Sequence, residues 1–228
     1  MKTIKISTIA KAATLATFAA ALTVSVASDP AEAAGGTMYG NPAAAAKWWR
    51  HQNYDDCAIM SSADVVGQVT GKEPSERSII KMAESTPSPT HSGSIYIKPS
   101  AGAQPGEGNG TMLPDLPALL KQYGVSAVFS NKQYAPKTHV PTGIEGLEQL
   151  LGGGHKVIVA LNAEMIWHKP NKGTPGPDHA VVVTGIDTAN NIVHLNDSGT
   201  PKGKDEQVPL ALFMQAWETG NEMVVTTT

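Results

Sequence analysis

Asp178-His179-Ala180-Val181-Val182-Val183-Thr184-Gly185, followed after a polar break by Ile192-Val193-His194-Leu195-Asn196-Asp197, is the stretch from which the fold is read. An unbroken apolar run of this kind reads as a strand buried on both faces. The second run has its own β-branched residues. Asp187-Thr188-Ala189-Asn190-Asn191 between the two is turn chemistry, so 180–186 and 192–196 form an antiparallel hairpin. A three-residue loop over 187–189 sets Ile186 against Asn190, His179 against Asp197, Val181 against Leu195 and Val183 against Val193. Opposed residues share a face. This is the more apolar face, and it is expected to pack inward against a helix. A carboxylate beside an imidazole holds its tautomer and stabilises the imidazolium. The alternative for His179 is a strand-end histidine bonded to backbone.

That helix is read over 57–69, where Ile59, Ala63, Val66 and Val69 recur at spacings of three and four. It opens on the only cysteine of the chain, Cys57, within His51-Gln52-Asn53-Tyr54-Asp55-Asp56-Cys57-Ala58. Asp55 or Asp56 is suited to the N-cap and Gly71 to the stop. At the first turn a sulfur faces unpaired N–H groups and the positive end of the helix dipole, both of which favour thiolate. Asp55 and Asp56 oppose this unless they point to the cap or to solvent. Gln52, five positions upstream, has an amide that can donate to an oxyanion beside the Cys57 N–H. Nucleophile, base, orienting acid and oxyanion donor make a set for thiol catalysis. Taken alone, a lone cysteine is more often a buried structural one, and it is the context that reverses this.

Around these two segments helices come first and strands follow. A short helical turn is read at 43–49, with Trp48 and Trp49 anchoring it to the core. Helices are read at 76–84, capped by Ser75, at 113–123, at 144–151 and at 210–217; strands at 125–129, 156–162 and 223–227. Residues 34–42 read as loose. The stretch 86–110, rich in proline and glycine, is a long loop that either walls a substrate site or is a solvated insertion. Trp167 and His168 read as surface packing or as cleft lining. This order indicates an α+β class rather than alternating βαβ units.

The N-terminus reads as a signal peptide over 1–33. Lys2, Lys5 and Lys11 precede an uncharged stretch, and Ala31-Glu32-Ala33 matches the cleavage pattern, with a second possible cut after Ala27. The mature chain, 34–228, is then expected to form one domain, secreted or cell-wall associated, with no stable membrane span. It carries 14 basic against 18 acidic side chains, a net charge of −4 against −3 for the full chain. A mildly acidic chain without a basic stripe argues against nucleic acid. One cysteine excludes a disulfide scaffold. None of the seven histidines forms an H-E-x-x-H motif, and no paired C-x-x-C exists, so neither a metal nor a cofactor is expected.

Gln52, Asp56-Cys57-Ala58, the run Asp178 through Gly185, and Asn196-Asp197 together resemble the C39-like cysteine peptidase family, over roughly Trp48 to Val225. The resemblance implies a papain-like fold, its helical N-terminal part packed on a C-terminal antiparallel sheet. It implies Cys57 as nucleophile, His179 as base, Asp197 as orienting group and Gln52 in the oxyanion hole. Transporter-attached members place the glutamine six residues before the cysteine; here the spacing is five. The similarity is to free-standing secreted members, so leader cleavage is not carried over. The expected function is a secreted thiol hydrolase acting on a peptide or amide bond. The alternatives are a peptidoglycan stem-peptide amidase or endopeptidase, and a non-catalytic peptide-binding module on the same fold.

Overall fold

The structure is a computed structural model, and it describes residues 36–97, 110–169 and 176–228. The signal-peptide reading with its two cut sites, the middle of the 86–110 loop and Pro175 lie outside the described residues. The described segments belong to one unit, Ala34–Thr228. In chain order its strands are β1 (Met38–Gly40), β2 (Ala127–Ser130), β3 (Val157–Leu161), β4 (His179–Asp187), β5 (Ile192–Asn196), β6 (Glu206–Pro209) and β7 (Val224–Thr227). Its helices are α1 (Pro42–Ala45), α2 (Cys57–Thr70), α3 (Glu76–Ser85), α4 (Leu116–Lys121), α5 (Ala135–Thr138), α6 (Gly143–Gly152), α7 (Ala163–Ile166) and α8 (Leu210–Glu218).

All strands join one antiparallel sheet in the order β2-β7-β3-β4-β5-β6, with β1 added to β4. The α+β, papain-like fold is present, but helices and strands are interspersed in sequence: β1 precedes every helix, β2 precedes α5 and α6, and α8 falls between β6 and β7. The sheet is covered on both faces. One core cluster joins Ala58, Ile59, Ala63 and Val66 of α2, with residues of α3 and α4, to Ile158, Ala160, Ala180 and Val182. The other joins α6 and α8 to Val157, Val159, Leu161, Val181, Val183, Val193 and Leu195. Two-sided burial is why β3 is apolar at every position.

The expected face assignment is thereby corrected. The Val181 and Val183 face packs against α6 and α8, and it is the Ala180 and Val182 face that meets the cysteine helix. Small Ala180 lets α2 approach closely enough for the Ser61 hydroxyl to donate to the Ala180 carbonyl at 3.2 Å.

The register is corrected too. Asp187 pairs with Ile192 and Ile186 with Val193, so the turn holds four residues, 188–191. Asp187 Oδ1 accepts the N–H groups of Ala189 and Asn190, and Asn191 takes a left-handed φ of 54°, which asparagine tolerates. A bulge between Val183 and Gly185 shifts the ladder again, giving Val183 opposite Leu195 and Val182 opposite Asn196. There the Thr184 carbonyl accepts the Asn41 N–H instead. The stretch read as loose at 34–42 includes β1, which pairs with Gly185–Asp187 at this edge. The short elements α5, α7 and β6 lacked a sequence signal of sufficient length.

The helix over 57–69 forms as read and ends at Gly71, whose φ of 73° closes it. Trp48 anchors the preceding segment: a Cβ on Gly67 would stand 2.6 Å from its ring, so the indole lies flush on α2. On the other face Trp217 is fully buried and donates its indole N–H to the Met223 carbonyl at 2.9 Å. Trp217→Ala leaves a large cavity in this core, and is expected to cost about 3–5 kcal/mol of stability, read by urea denaturation.

Candidate active site

β4 begins with His179, and the α2 N-terminus begins with Cys57. Ala180 and Ala160 on the sheet and Ala58 on α2 pack together beneath them, which fixes how the strand mouth meets the helix end. Cys57 is half-buried; His179 is 7% exposed and Asp197 1%. His179 Nε2 and Asp197 Oδ1 are 2.6 Å apart. The other ring nitrogen is left for the sulfur. Residues 55–58, 110–114, Ala160, 177–180 and Met223 line a cleft of about 710 Å³ around Cys57 and His179.

The contact between His179 and Asp197 is not made by cross-strand opposition, as the register expectation had it. β5 ends at Asn196, and the chain then curls, with the Asp197 N–H donating to the Gly203 carbonyl at 2.8 Å. That turn swings the carboxylate to the imidazole. Three donors hold it: His179 and the Gly199 N–H (2.7 Å) on Oδ1, and the Trp167 indole N–H (2.8 Å) on Oδ2. The Trp49 indole donates to the Asp197 carbonyl at 2.6 Å. The Trp167 ring lies 5.0 Å from the His179 ring, centroid to centroid. Gly199 has no room for a side chain: its Cβ would stand 2.8 Å from His179 Cε1 and 2.9 Å from Trp167. Trp49 was legible as a packing residue and Trp167 as surface packing or cleft lining, because nothing local in sequence shows their N–H groups meeting residue 197.

Electrostatics follow from these contacts. Burial alone pulls the His179 imidazole down, but the Cys57 sulfur, as charge and hydrogen-bond partner, and Asp197 together raise it from 6.5 to about 10. Burial acts to raise Asp197, yet its bonds to His179, Trp167 and Gly199 and the His179 charge hold it below the ordinary value of 3.8. Glu206 of β6, not singled out from sequence, sits beside Asp197; burial first, then the Asp197 charge, push it up to about 7. Next to the sulfur, burial and then the charges of Glu76 and Asp55 push Asp56 up to about 7. Asp56 is the N-cap by position, but its side chain makes no capping bond.

Gln52 is held differently from the expectation. Its Nε2 donates to the Tyr54 carbonyl at 2.8 Å, its Oε1 accepts the Ser198 hydroxyl at 2.7 Å, and its own N–H donates to the Ser198 carbonyl. These bonds tie the approach to Cys57 to the turn carrying Asp197. Of the two amide hydrogens, one is spent on Tyr54 and one remains. Behind the site Asn196 donates to Asp64 Oδ2 of α2 at 2.7 Å and to the Ala45 carbonyl at 3.0 Å, fastening β5 to α2. Among the described residues no group of three or more His, Cys, Asp or Glu is placed to hold a metal, and no helix is long and apolar enough to cross a membrane.

A model of the Peptidase_C39 like family matches residues 44–223, which span both halves of this site and the sheet between them. The chain belongs to that family. Its sequence is 58% identical over 233 residues, covering all of both chains, to the uncharacterized proteins Mb1299c of Mycobacterium bovis and Rv1268c of Mycobacterium tuberculosis. Its fold is similar to that of a crystal structure described as a C39-like peptidase from Bacillus anthracis, with a TM-score of 0.60 at 18% identity, covering 84% of this chain and 98% of that one.

The pair has a definite pH window. A raised histidine stabilises fully below its unfolded value of 6.5 and loses that contribution as pH climbs through about 10. A lowered carboxyl stabilises above its unfolded value of 3.8 and loses it as pH falls through its folded value. The Tm gap between the native protein and Asp197→Asn is therefore expected to be widest from pH 3.8 to 6.5 and to narrow towards pH 10. Gly199→Ala is expected to push the imidazole off Asp197 while the fold persists, read as loss of the downfield imidazole N–H resonance in proton NMR.

Proposed function

We propose that this chain is a secreted thiol hydrolase that cleaves a peptide or amide bond, with Cys57 as nucleophile, His179 as base and acid, and Asp197 as the orienting group. The observation that carries the reading is the buried 2.6 Å contact between His179 and Asp197 at the wall of the Cys57 cleft. A carboxylate fixed on one ring nitrogen orients the other towards the sulfur. Family membership supports a peptidase, and the charged start, apolar stretch and Ala31-Glu32-Ala33 pattern support export, with the product released outside the cell or at the wall.

In the proposed reaction the Cys57 thiolate attacks the carbonyl carbon, a C–S bond forms and the carbonyl electron pair moves onto oxygen. The Cys57 backbone N–H, at the open first turn of α2, and the remaining Gln52 N–H receive that oxyanion. The imidazolium hands its Nδ1 proton to the departing amine as the C–N bond breaks, leaving a thioester. A water gives its proton to Nδ1 and attacks the thioester, and the acid leaves as the thiolate returns. Asp197 keeps its charge throughout and holds the ring.

The test has two arms. Incubation with a mixed peptide library and with purified wall fragments, followed by mass analysis, is expected to give cleavage products whose rate falls roughly 10³-fold or more in Cys57→Ala. Full activity in that variant rules out the assignment. Iodoacetamide labelling of Cys57 at neutral pH is expected to slow at least about tenfold in His179→Gln, since the ring ionises the sulfur. Equal rates would leave Cys57 as a structural thiol or part of a binding module.

A further inference from the structure

Both side-chain oxygens of Asp56 are buried and have no hydrogen-bond partner, and the residue is 2% exposed. The hydroxyl of Thr111 is buried and unpartnered as well. Both residues line the Cys57 cleft, one from each side of it in sequence. Buried polar groups without partners are rare, and a carboxylate is the least tolerated of them. Two of them lining one cleft, one on the residue adjoining the sulfur, mark a place fitted to a ligand with hydrogen-bond donors.

Charge gives the sign of that ligand. Asp55, Asp56 and Asp178 line the cleft, and the cationic group in its described lining is the His179 imidazolium, which is already paired with Asp197. Asp178 is already engaged, its Oδ1 accepting the Ala163 N–H at 2.8 Å. Asp56 is left over. Glu76 of α3 adds negative charge beside it but is itself bonded to Asn53.

We propose that Asp56 and Thr111 form a subsite beside the Cys57 sulfur that receives a primary ammonium group of the substrate. This rests on the hydrolase reading and narrows its substrate class to amine-bearing peptides. An ammonium has three N–H donors, matched by Oδ1 and Oδ2 of Asp56 and Oγ1 of Thr111. The carboxylate turns from its buried position to the cleft as the amine enters. Because Asp56 adjoins the nucleophile, the ammonium lies within a residue or two of the bond that is cut. It is either a lysine-like side chain or a free peptide N-terminus.

The test uses peptidyl fluoromethyl ketones, which alkylate a thiolate to a thioether with loss of fluoride. One series carries lysine, norleucine or arginine at a single position, and a second has a free or acetylated N-terminus. Rates of Cys57 labelling are read by intact-protein mass spectrometry and compared within each variant, so changes in the sulfur's own reactivity divide out. The native protein is expected to favour lysine over norleucine, or the free over the acetylated terminus, by about tenfold or more. That ratio is expected to fall to within about twofold of unity in Asp56→Asn and partway in Thr111→Val. Asparagine keeps the shape and is a favoured N-cap residue, so α2 is retained. No preference in either series, arginine equalling lysine, or a preference surviving Asp56→Asn overturns the subsite. A Cys57 inert to iodoacetamide and to every ketone overturns the hydrolase reading instead. The subsite is then read by NMR titration of Cys57→Ala with lysinamide and norleucinamide. Lysinamide alone is expected to shift the amides of residues 55–58 and Thr111, and equal or absent shifts overturn it.

Discussion

The contact between His179 and Asp197 is the constraint on which the site depends. Its geometry is overdetermined. The carboxylate takes three N–H donors, the imidazole is flanked by an indole, and a glycine leaves no slack against either ring. Each donor offsets part of the cost of burying a charge, which is why a carboxylate 1% exposed stays ionised. A ring held this way has one nitrogen committed and the other free to trade a proton with sulfur. The reaction proposed for the cleft rests on that asymmetry.

The rest of the fold serves to bring a helix end and a strand mouth to the same place. α2 is buried almost all round, between the sheet and α3 and α4, so it has no freedom to slide. Its position is pinned twice more by polar contacts, Ser61 to the Ala180 carbonyl and Asn196 to Asp64. Asp64 is pushed up to about 6 by burial, against the hydrogen bonds of Gln68 and Asn196, and so holds its place by partners rather than by solvent. On the far face α6 and α8 complete the second core, which keeps β3 and β4 flat against both layers. The edge that carries His179 is thus the rim of a sheet clamped from two sides.

Within the cleft the polar groups divide into two kinds. His179 and Asp178 have partners and are fixed. Asp56 and Thr111 do not, and their cost is borne by the fold. Unsatisfied groups next to a reactive atom are where binding energy is gained, since a ligand that completes them recovers what the fold gave up.

By itself the sequence determined the helix carrying Cys57, the valine strand, the α+β class and the identity of the residues that meet. Those signals are local: a period of three and four, an unbroken apolar run, a capping serine at 75, a glycine at 71. The resemblance carried by the two motifs added the papain-like arrangement. The tertiary structure alone decided which face of β4 meets α2, because a strand buried on both sides carries no contrast between its faces. It alone decided the register, because a four-residue turn stabilised by Asp187 and a bulge at Thr184 compete with a tighter loop by energies too small to read from composition. The reach of Asp197 to His179 survives that shift through the turn after Asn196. The roles of Trp49, Trp167 and Glu206, and the stranded oxygens of Asp56, depend on groups far apart in sequence arriving in one place, which no local pattern records.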